Sequence, residues 1–293
     1  MADGILLLDK PQGFTSFDVI AKLRGMSRQR KIGHAGTLDP MATGVLPCLF
    51  GSATRLCDVM PCEEKTYFAT VQFGISTDTQ DITGEVLSRS DLAVDQEMIK
   101  AVLPAFSGPI IQIPPMYSAV QVNGKRLYDL ARQGKEIERP SRSITIRTLE
   151  LIAFDATNRR ADFSVTCSKG SYVRTLFHDI GQALGCGAAL FALRRTASSG
   201  FSAADCITME EAQHLTNEGL LLDRLRPVSA AFATLPRFQV GEWQGKMLLN
   251  GVPLSLEKLG HPEPGSYAVW QDGTFLGLGT VAPDADGMRL KRF

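Results

Sequence analysis

In the stretch GHAGTLDPMATGVLP, residues 33–47, a single carboxylate, Asp39, stands among three glycines, two prolines and one histidine. That composition suits neither a helix nor a strand, and the apolar flanks predict a buried, rigid loop. Gly33 and Gly36 admit backbone angles closed to other residues and allow close approach of a ligand, while Pro40 and Pro47 remove freedom. A carboxylate mounted in this way can act as a nucleophile, a base, a metal ligand or a cap. The ordinary role of an Asp-Pro pair is turn chemistry, with the side chain bonded to its own backbone.

Partners for Asp39 must come from elsewhere in the chain. The four histidines, at 34, 178, 214 and 261, are scattered singly, and the six cysteines form no C-x-x-C pair. Cys57 and Cys62, with four residues between them, are a weak metal signal, and the thiols read as reduced and mostly buried. No dinucleotide, P-loop or H-E-x-x-H fingerprint occurs. The expectation is therefore no metal and no cofactor. A two-carboxylate glycosidase would need a second dedicated acid. Thr77-Asp78-Thr79-Gln80-Asp81 offers one, but reads first as a polar turn. A phosphatase of the aspartyl type would need a D-x-D spacing that Asp39-Pro40-Met41 lacks.

Net charge is zero over 293 residues, which argues against a uniformly basic nucleic-acid protein. The average hides local runs. KLRGMSRQRK, from Lys22 to Lys31, holds five cations and no acid; residues 120–142 hold six basic against three acidic groups; Arg194-Arg195 adds a pair. Basic runs abutting the glycine-rich loop point to a polyanionic substrate. No apolar run approaches the roughly 20 residues that span a bilayer. Asp3 stands where a signal peptide carries positive charge, so a cytoplasmic location is expected.

The elements that must position Asp39 follow from periodicity. GILLLDK predicts a buried strand, and PQGFTS a turn. Ser16 is the expected N-cap of a helix to about Arg24 with Phe17, Ile20 and Leu23 on one face. KTYFATVQFG alternates, placing Tyr67, Ala69, Val71 and Phe73 on one side of a strand, and a second strand is expected near 84–88. A helix capped by Asp95 should bury Met98, Ile99, Val102 and Leu103. PPMYSAVQVNGKRLYDLARQG reads as a strand, an Asn123-Gly124 turn and a short helix stopped at Gly134. SITIRTLELIAF and RRADFSVTCS are further strands. SKGSYVRTLFHDIGQAL should pass from strand to helix with Ser171 at the cap and Leu176, Phe177 and Ile180 inward. Thr208 and Glu211 form a capping box. After Leu235-Pro236, turn pairs at Asn250-Gly251, Pro264-Gly265, Asp272-Gly273 and Asp286-Gly287 suggest a small all-β appendage. The larger part mixes strands and helices without a βαβ rhythm, so the class is α+β with a central mixed, largely antiparallel sheet flanked by helices.

GHAGTLDPMATGVLP resembles the catalytic loop of the TruB family of tRNA pseudouridine-55 synthases. LLLDKPQGFTS, EKTYFATVQFG, TDTQDITGEV, PPMYSAVQVNGKRLYDLAR, SKGSYVRTLFHDIGQALGCGA and LRR follow in the family's order, over residues 4 to about 230. The resemblance implies a pseudouridine synthase fold at 1–234 and a PUA-like RNA-binding domain at 235–293. It implies that Asp39 is the nucleophile, and leaves open attack on C1′, attack on C6 or a glycal route. Arg174 of the Tyr-Val-Arg motif would pair with Asp39, and Tyr67 would stack on the target base. Tyr172 and Leu193 would wall the uracil pocket, with Gly36 in the binding loop, and His34 would contact a nucleotide turned out of its stack. The implied partner is tRNA through its T-arm stem-loop, without cofactor, membrane or obligate protein partner, the chain acting as a monomer. The competing reading is a non-catalytic RNA-binding or tRNA-folding protein that keeps the fold.

Overall fold

The computed structural model describes residues 2–57, 59–60, 64–118, 120–122, 124–131, 133–283 and 286–293. The first apolar run forms β1, Gly4–Lys10, and the helix after the turn is α1, Ser16–Ser27. Its cap lies one residue earlier than expected. Thr15 Oγ1 accepts from the Asp18 amide at 3.0 Å, and Asp18 accepts from the Thr15 amide at 2.8 Å. That box releases Ser16 to the interior with Val19, Ile20 and Leu23. At about 100° per residue, Phe17 then falls on the flank, and it is 65% exposed rather than buried.

β2, Ile32–His34, and β3, Thr43–Phe50, take up both ends of the glycine- and proline-rich stretch, so the loop proper is residues 35–42. The apolar run Val45, Leu46, Cys48, Leu49 and Phe50 is fully buried and outweighs the breaker Pro47, whose carbonyl still accepts from the Ala35 amide at 2.9 Å. β4, Lys65–Phe73, shows the expected alternation, and β5, Ile75–Thr77, pairs with β6, Val86–Arg89. Asp95 caps α2, Gln96–Val102, which buries Ile99 and leaves Met98 exposed, against expectation. β7 is Gly108–Gln112. β8, Gln121–Val122, and β9, Lys125–Arg126, make a short hairpin before α3, Leu127–Ala131. The turn's Asn123 lies outside the described residues, as does Cys62.

β10, Arg142–Asp155, and β11, Arg160–Cys167, lead to α4, Val173–Ala183. Tyr172, not Ser171, holds the N-cap position of α4 and makes no side-chain cap. β12, Ala188–Ser198, and β13, Phe201–Ser202, precede α5, Met209–Asn217, which opens with the expected Thr208–Glu211 box.

The main sheet runs β1-β3-β12-β4-β11-β10-β7, with β2 beside β3 and β13 beside β12. Its pairs are antiparallel except β3 with β12, so the expected mixed, largely antiparallel sheet is present. Leu176, Phe177 and Ile180 of α4 and Ile99 of α2 pack on Val71, Phe73 and Phe163. Val19, Ile20 and Leu23 of α1 and Ala212 of α5 pack on Leu6, Leu8 and Leu46.

The C-terminal residues form a second sheet. Its strands are β14, Arg237–Gln239, β15, Leu254–Ser255, β16, Gly265–Gln271, β17, Thr274–Val281, and β18, Gly287–Lys291, in the order β14-β16-β17-β18-β15. Asp272 and Gly273, at φ 46° and 79°, make the tight turn between β16 and β17 that the sequence predicts. The expected all-β texture is interrupted by α6, Glu242–Leu249. This sheet is seated on the first: Phe232 stacks between Phe275 and Phe293, each at 5.1 Å, in one cluster with Ile5 and Leu7 of β1. Among the described residues, no helix is long and apolar enough to cross a membrane.

Candidate active site

The loop carrying Asp39 is gripped from three sides by side chains that bond its backbone. Arg195, fully buried on β12, donates from Nε to Val45 O at 2.8 Å, from Nη2 to Gly36 O at 3.0 Å and from Nη1 to Thr37 O at 3.4 Å. Lys10, fully buried at the end of β1, donates to Pro11 O at 2.9 Å, Phe14 O at 2.5 Å and Pro40 O at 3.4 Å. Ser16 Oγ accepts from the Leu38 amide at 2.9 Å and donates to Leu38 O at 3.2 Å. The carbonyls flanking Asp39 are thereby satisfied by side chains in place of water, as buried backbone groups require.

Two glycines are needed here for different reasons. Gly36 sits at φ +85°, a conformation other residues adopt at a cost. At Gly44, φ +104°, an added Cβ would lie 2.2 Å from Arg195 O, where β3 and β12 run in parallel contact. Gly33 does not need a left-handed backbone, contrary to expectation; it lies in β2, packed against Cys57 Sγ.

Arg174 is buried in the first turn of α4, and its whole fork is used. Nε meets Asp39 Oδ2 at 2.9 Å, Nη1 donates to Thr79 O and Nη2 to Tyr117 O, both at 2.8 Å. Nη1 also lies 3.8 Å from Oδ2 of Asp81. Asp81 is itself buried, accepting from the Thr83 amide and from the hydroxyls of Thr79 and Thr83. The polar turn read from T-D-T-Q-D is real, and it also sets a second carboxylate against Arg174. The guanidinium is thus fixed before any ligand arrives, and it aims Asp39, whose side chain stays 38% exposed.

Tyr67 lies directly opposite Arg195 in the β4–β12 ladder. Burial pushes its phenol up, with the nearby Arg195 charge opposing. Leu193 belongs to the same apolar cluster as Tyr67, Leu38 and Met41. Tyr172 is clamped through its backbone: buried Gln112 accepts from its amide at 2.8 Å and donates to its carbonyl at 3.1 Å. His34 stands apart from this set. Its ring meets Phe17 edge-on at 6.1 Å, and burial, then the charge of Arg195, lower its pKa.

The sequence therefore named Asp39, Arg174, Tyr67, Leu193 and Gly36, which come together, and missed Lys10, Ser16, Asp81, Gln112 and Arg195. Arg194 pairs with Asp9 at 2.6 Å, and Arg195 is spent inside the loop. Lys22, Arg24, Arg28, Arg30 and Lys31 do remain on the surface. Among the described residues, no cluster of three potential metal ligands occurs. What the arrangement offers is one aimed, accessible carboxylate beside a buried tyrosine and an apolar wall, a setting for a nucleophile or a base acting on a flat ligand.

Family models for the TruB family pseudouridylate synthase N-terminal domain and the tRNA pseudouridylate synthase B C-terminal domain match residues 24–173 and 174–233. A tRNA pseudouridine synthase B of Stutzerimonas stutzeri is 42% identical over 285 residues, 96% of this chain and 92% of the relative. One of Bacillus licheniformis is 42% identical over 273 residues, 92% and 86% of the two chains. Among solved structures, a Cbf5–Nop10–Gar1 complex superposes with TM-score 0.76 at 25% identity, covering 99% of this chain and 84% of the other. An H/ACA RNP bound to a substrate RNA containing 2′-deoxyuridine gives 0.74 at 23%, a likeness of fold, over 99% and 84% of the two chains.

Proposed function

The chain belongs to the TruB family of pseudouridylate synthases, and from that premise we propose that it isomerises a uridine in the T-arm of tRNA to pseudouridine, with Asp39 as the nucleophile. In this reaction the N1–C1′ bond breaks and a C5–C1′ bond forms. C5 loses a proton and N1 gains one, so no electrons and no external group are exchanged. The observation that carries the reading is the 2.9 Å contact of Arg174 with an accessible Asp39. A buried guanidinium with its other donors committed holds the carboxylate in one orientation toward the open side of the loop.

Tyr67 supplies a ring at the base of the site for the extruded uracil, with Leu193 and the clamped Tyr172 as its walls. His34 contacts the turned-out nucleotide at the rim. RNA is read by shape and by phosphate and 2′-hydroxyl contacts, for which the surface cations at 22–31 are suited. Residues 1–234 form the catalytic part in this reading. The sheet from residue 235 onward acts as a PUA-like RNA contact, supported by its separate set of strands.

The test uses an unmodified tRNA transcript with the parent protein and with Asp39→Asn, mapping pseudouridine by position. The parent should convert one T-arm uridine, and Asp39→Asn should lose more than about a thousandfold in rate while still binding. Absence of product from the parent would sink the enzymatic reading. Persistent product from Asp39→Asn would remove the nucleophile assignment alone.

A further inference from the structure

Phe17 presents a large apolar ring to solvent, 65% exposed, on a helix whose core-facing apolar positions Val19, Ile20 and Leu23 are buried. A lone exposed hydrophobic residue is ordinary, so exposure alone carries nothing. Three further observations do. The ring is perpendicular to that of His34, at 87° and 6.1 Å between centroids, so the two are packed edge to face. The neighbouring residue, Ser16, is tied by both of its hydrogen bonds to Leu38, next to Asp39. Helix and loop are thus one rigid piece, and the ring is held in register with the reacting centre. Finally, Ala21 and Arg24 lie on the same exposed face of α1 at helical spacing from Phe17, and the exposed Arg28 follows as the helix's C-cap, in the left-handed region at φ 53°. Arg24 is steadied there by a bond from Nη2 to Ile32 O at 2.9 Å.

An aromatic followed by cations along one exposed face is the chemistry of surfaces that hold unpaired nucleic acid, where bases stack on rings and phosphates follow the cations. We propose that Phe17 is a stacking platform for a nucleobase of the substrate RNA, set beside His34 at the rim of the active site. The proposal rests on the reading of the chain as an enzyme that turns a uridine out of a folded loop. Extrusion removes a stacking partner from the neighbouring bases, and a phenyl ring with no polar atom offers a π-face to replace it.

The experiment measures KM, kcat and the dissociation constant for a T-arm hairpin with the parent and with Phe17→Ala, Phe17→Leu and Phe17→Tyr. Phe17→Ala and Phe17→Leu should raise KM and the dissociation constant about tenfold, the equivalent of about 1.4 kcal/mol, and hold kcat within about twofold. Phe17→Tyr should match the parent. The binding loss should persist when Phe17→Ala is made in a His34→Ala background. Binding unchanged in Phe17→Ala, or Phe17→Leu as good as Phe17→Tyr, would overturn stacking. Disappearance of the effect without His34 would also overturn it, because the ring would then act only by supporting the histidine. Since these readings presuppose product from the parent, a parent without product fails the functional proposal, whereas a productive parent indifferent to Phe17 fails only this one.

Discussion

The cations beneath Asp39 and those of the neighbouring surface are the same residue types put to opposite uses. Lys10, Arg174 and Arg195 are buried, and most of their donors end on backbone carbonyls of the site. Arg28, Arg30 and Lys31 lie a few residues away in sequence, exposed to solvent. The difference teaches that a count of basic residues near a motif says little about what they touch. The buried set is an internal scaffold that replaces water for a kinked backbone, and the exposed set is a surface field. Removing a buried cation leaves several polar groups unpaired, whereas removing an exposed one leaves a hydrated surface.

The contrast breaks first at Arg195. Arg195→Leu strips Gly36, Thr37 and Val45 of their donor and removes the positive charge near the Tyr67 phenol. Stability should fall by about 3 kcal/mol or more, read from urea denaturation, with pseudouridine formation falling alongside. A variant as stable as the parent would put Arg195 with the surface set.

Lys10 sharpens the same contrast through pH. Burial, opposed by the charge of Asp39 and reinforced by that of Arg195, lowers its pKa from 10.5 to about 8. The unfolded chain therefore holds the extra proton between about pH 8 and 10.5, and the stability contributed by this group rises with pH across that window. The rise amounts to at most about 3 kcal/mol. Lys10→Met should remove that upward slope, measured as the difference between parent and variant in denaturant midpoints at pH 8 and pH 10. Parallel pH dependences would show that Lys10 is not desolvated.

The smallest effect on the fold belongs to the rim. Arg28→Gln, Arg30→Gln and Lys31→Gln together should leave the melting temperature in place. They should weaken tRNA binding and flatten the slope of log affinity against log salt by about 0.9 for each phosphate no longer neutralised. An unchanged slope would take these residues out of the RNA interface.

Much of the scaffold was legible because it is written in local patterns. The alternation of Tyr67, Ala69, Val71 and Phe73, the Asp95 and Thr208 caps, and the Asp272-Gly273 turn each depend on neighbours within a few residues. Asp39 stood out by composition, and the resemblance supplied Arg174 and Tyr67. What stayed hidden depends on separations of tens to hundreds of residues. Arg195 reaches Gly36 only because β12 lies parallel to β3, and Gln112 meets Tyr172 only because β7 closes the sheet edge. Local misreadings were small shifts with large consequences. Moving the cap from Ser16 to Thr15 turned Phe17 outward and Ser16 inward.

Arg194 and Arg195 are adjacent on one strand and face opposite ways. One reaches Asp9, and the other lies inside the loop opposite Tyr67. A slip of β12 by a single residue cannot keep both contacts: one direction sets Arg194 at the loop carbonyls and Leu193 against Asp9, the other sets Thr196 at the carbonyls and Arg195 against Asp9. The pair therefore works as a checksum on strand alignment: only the native register gives Asp9 and the loop carbonyls a guanidinium each at the same time.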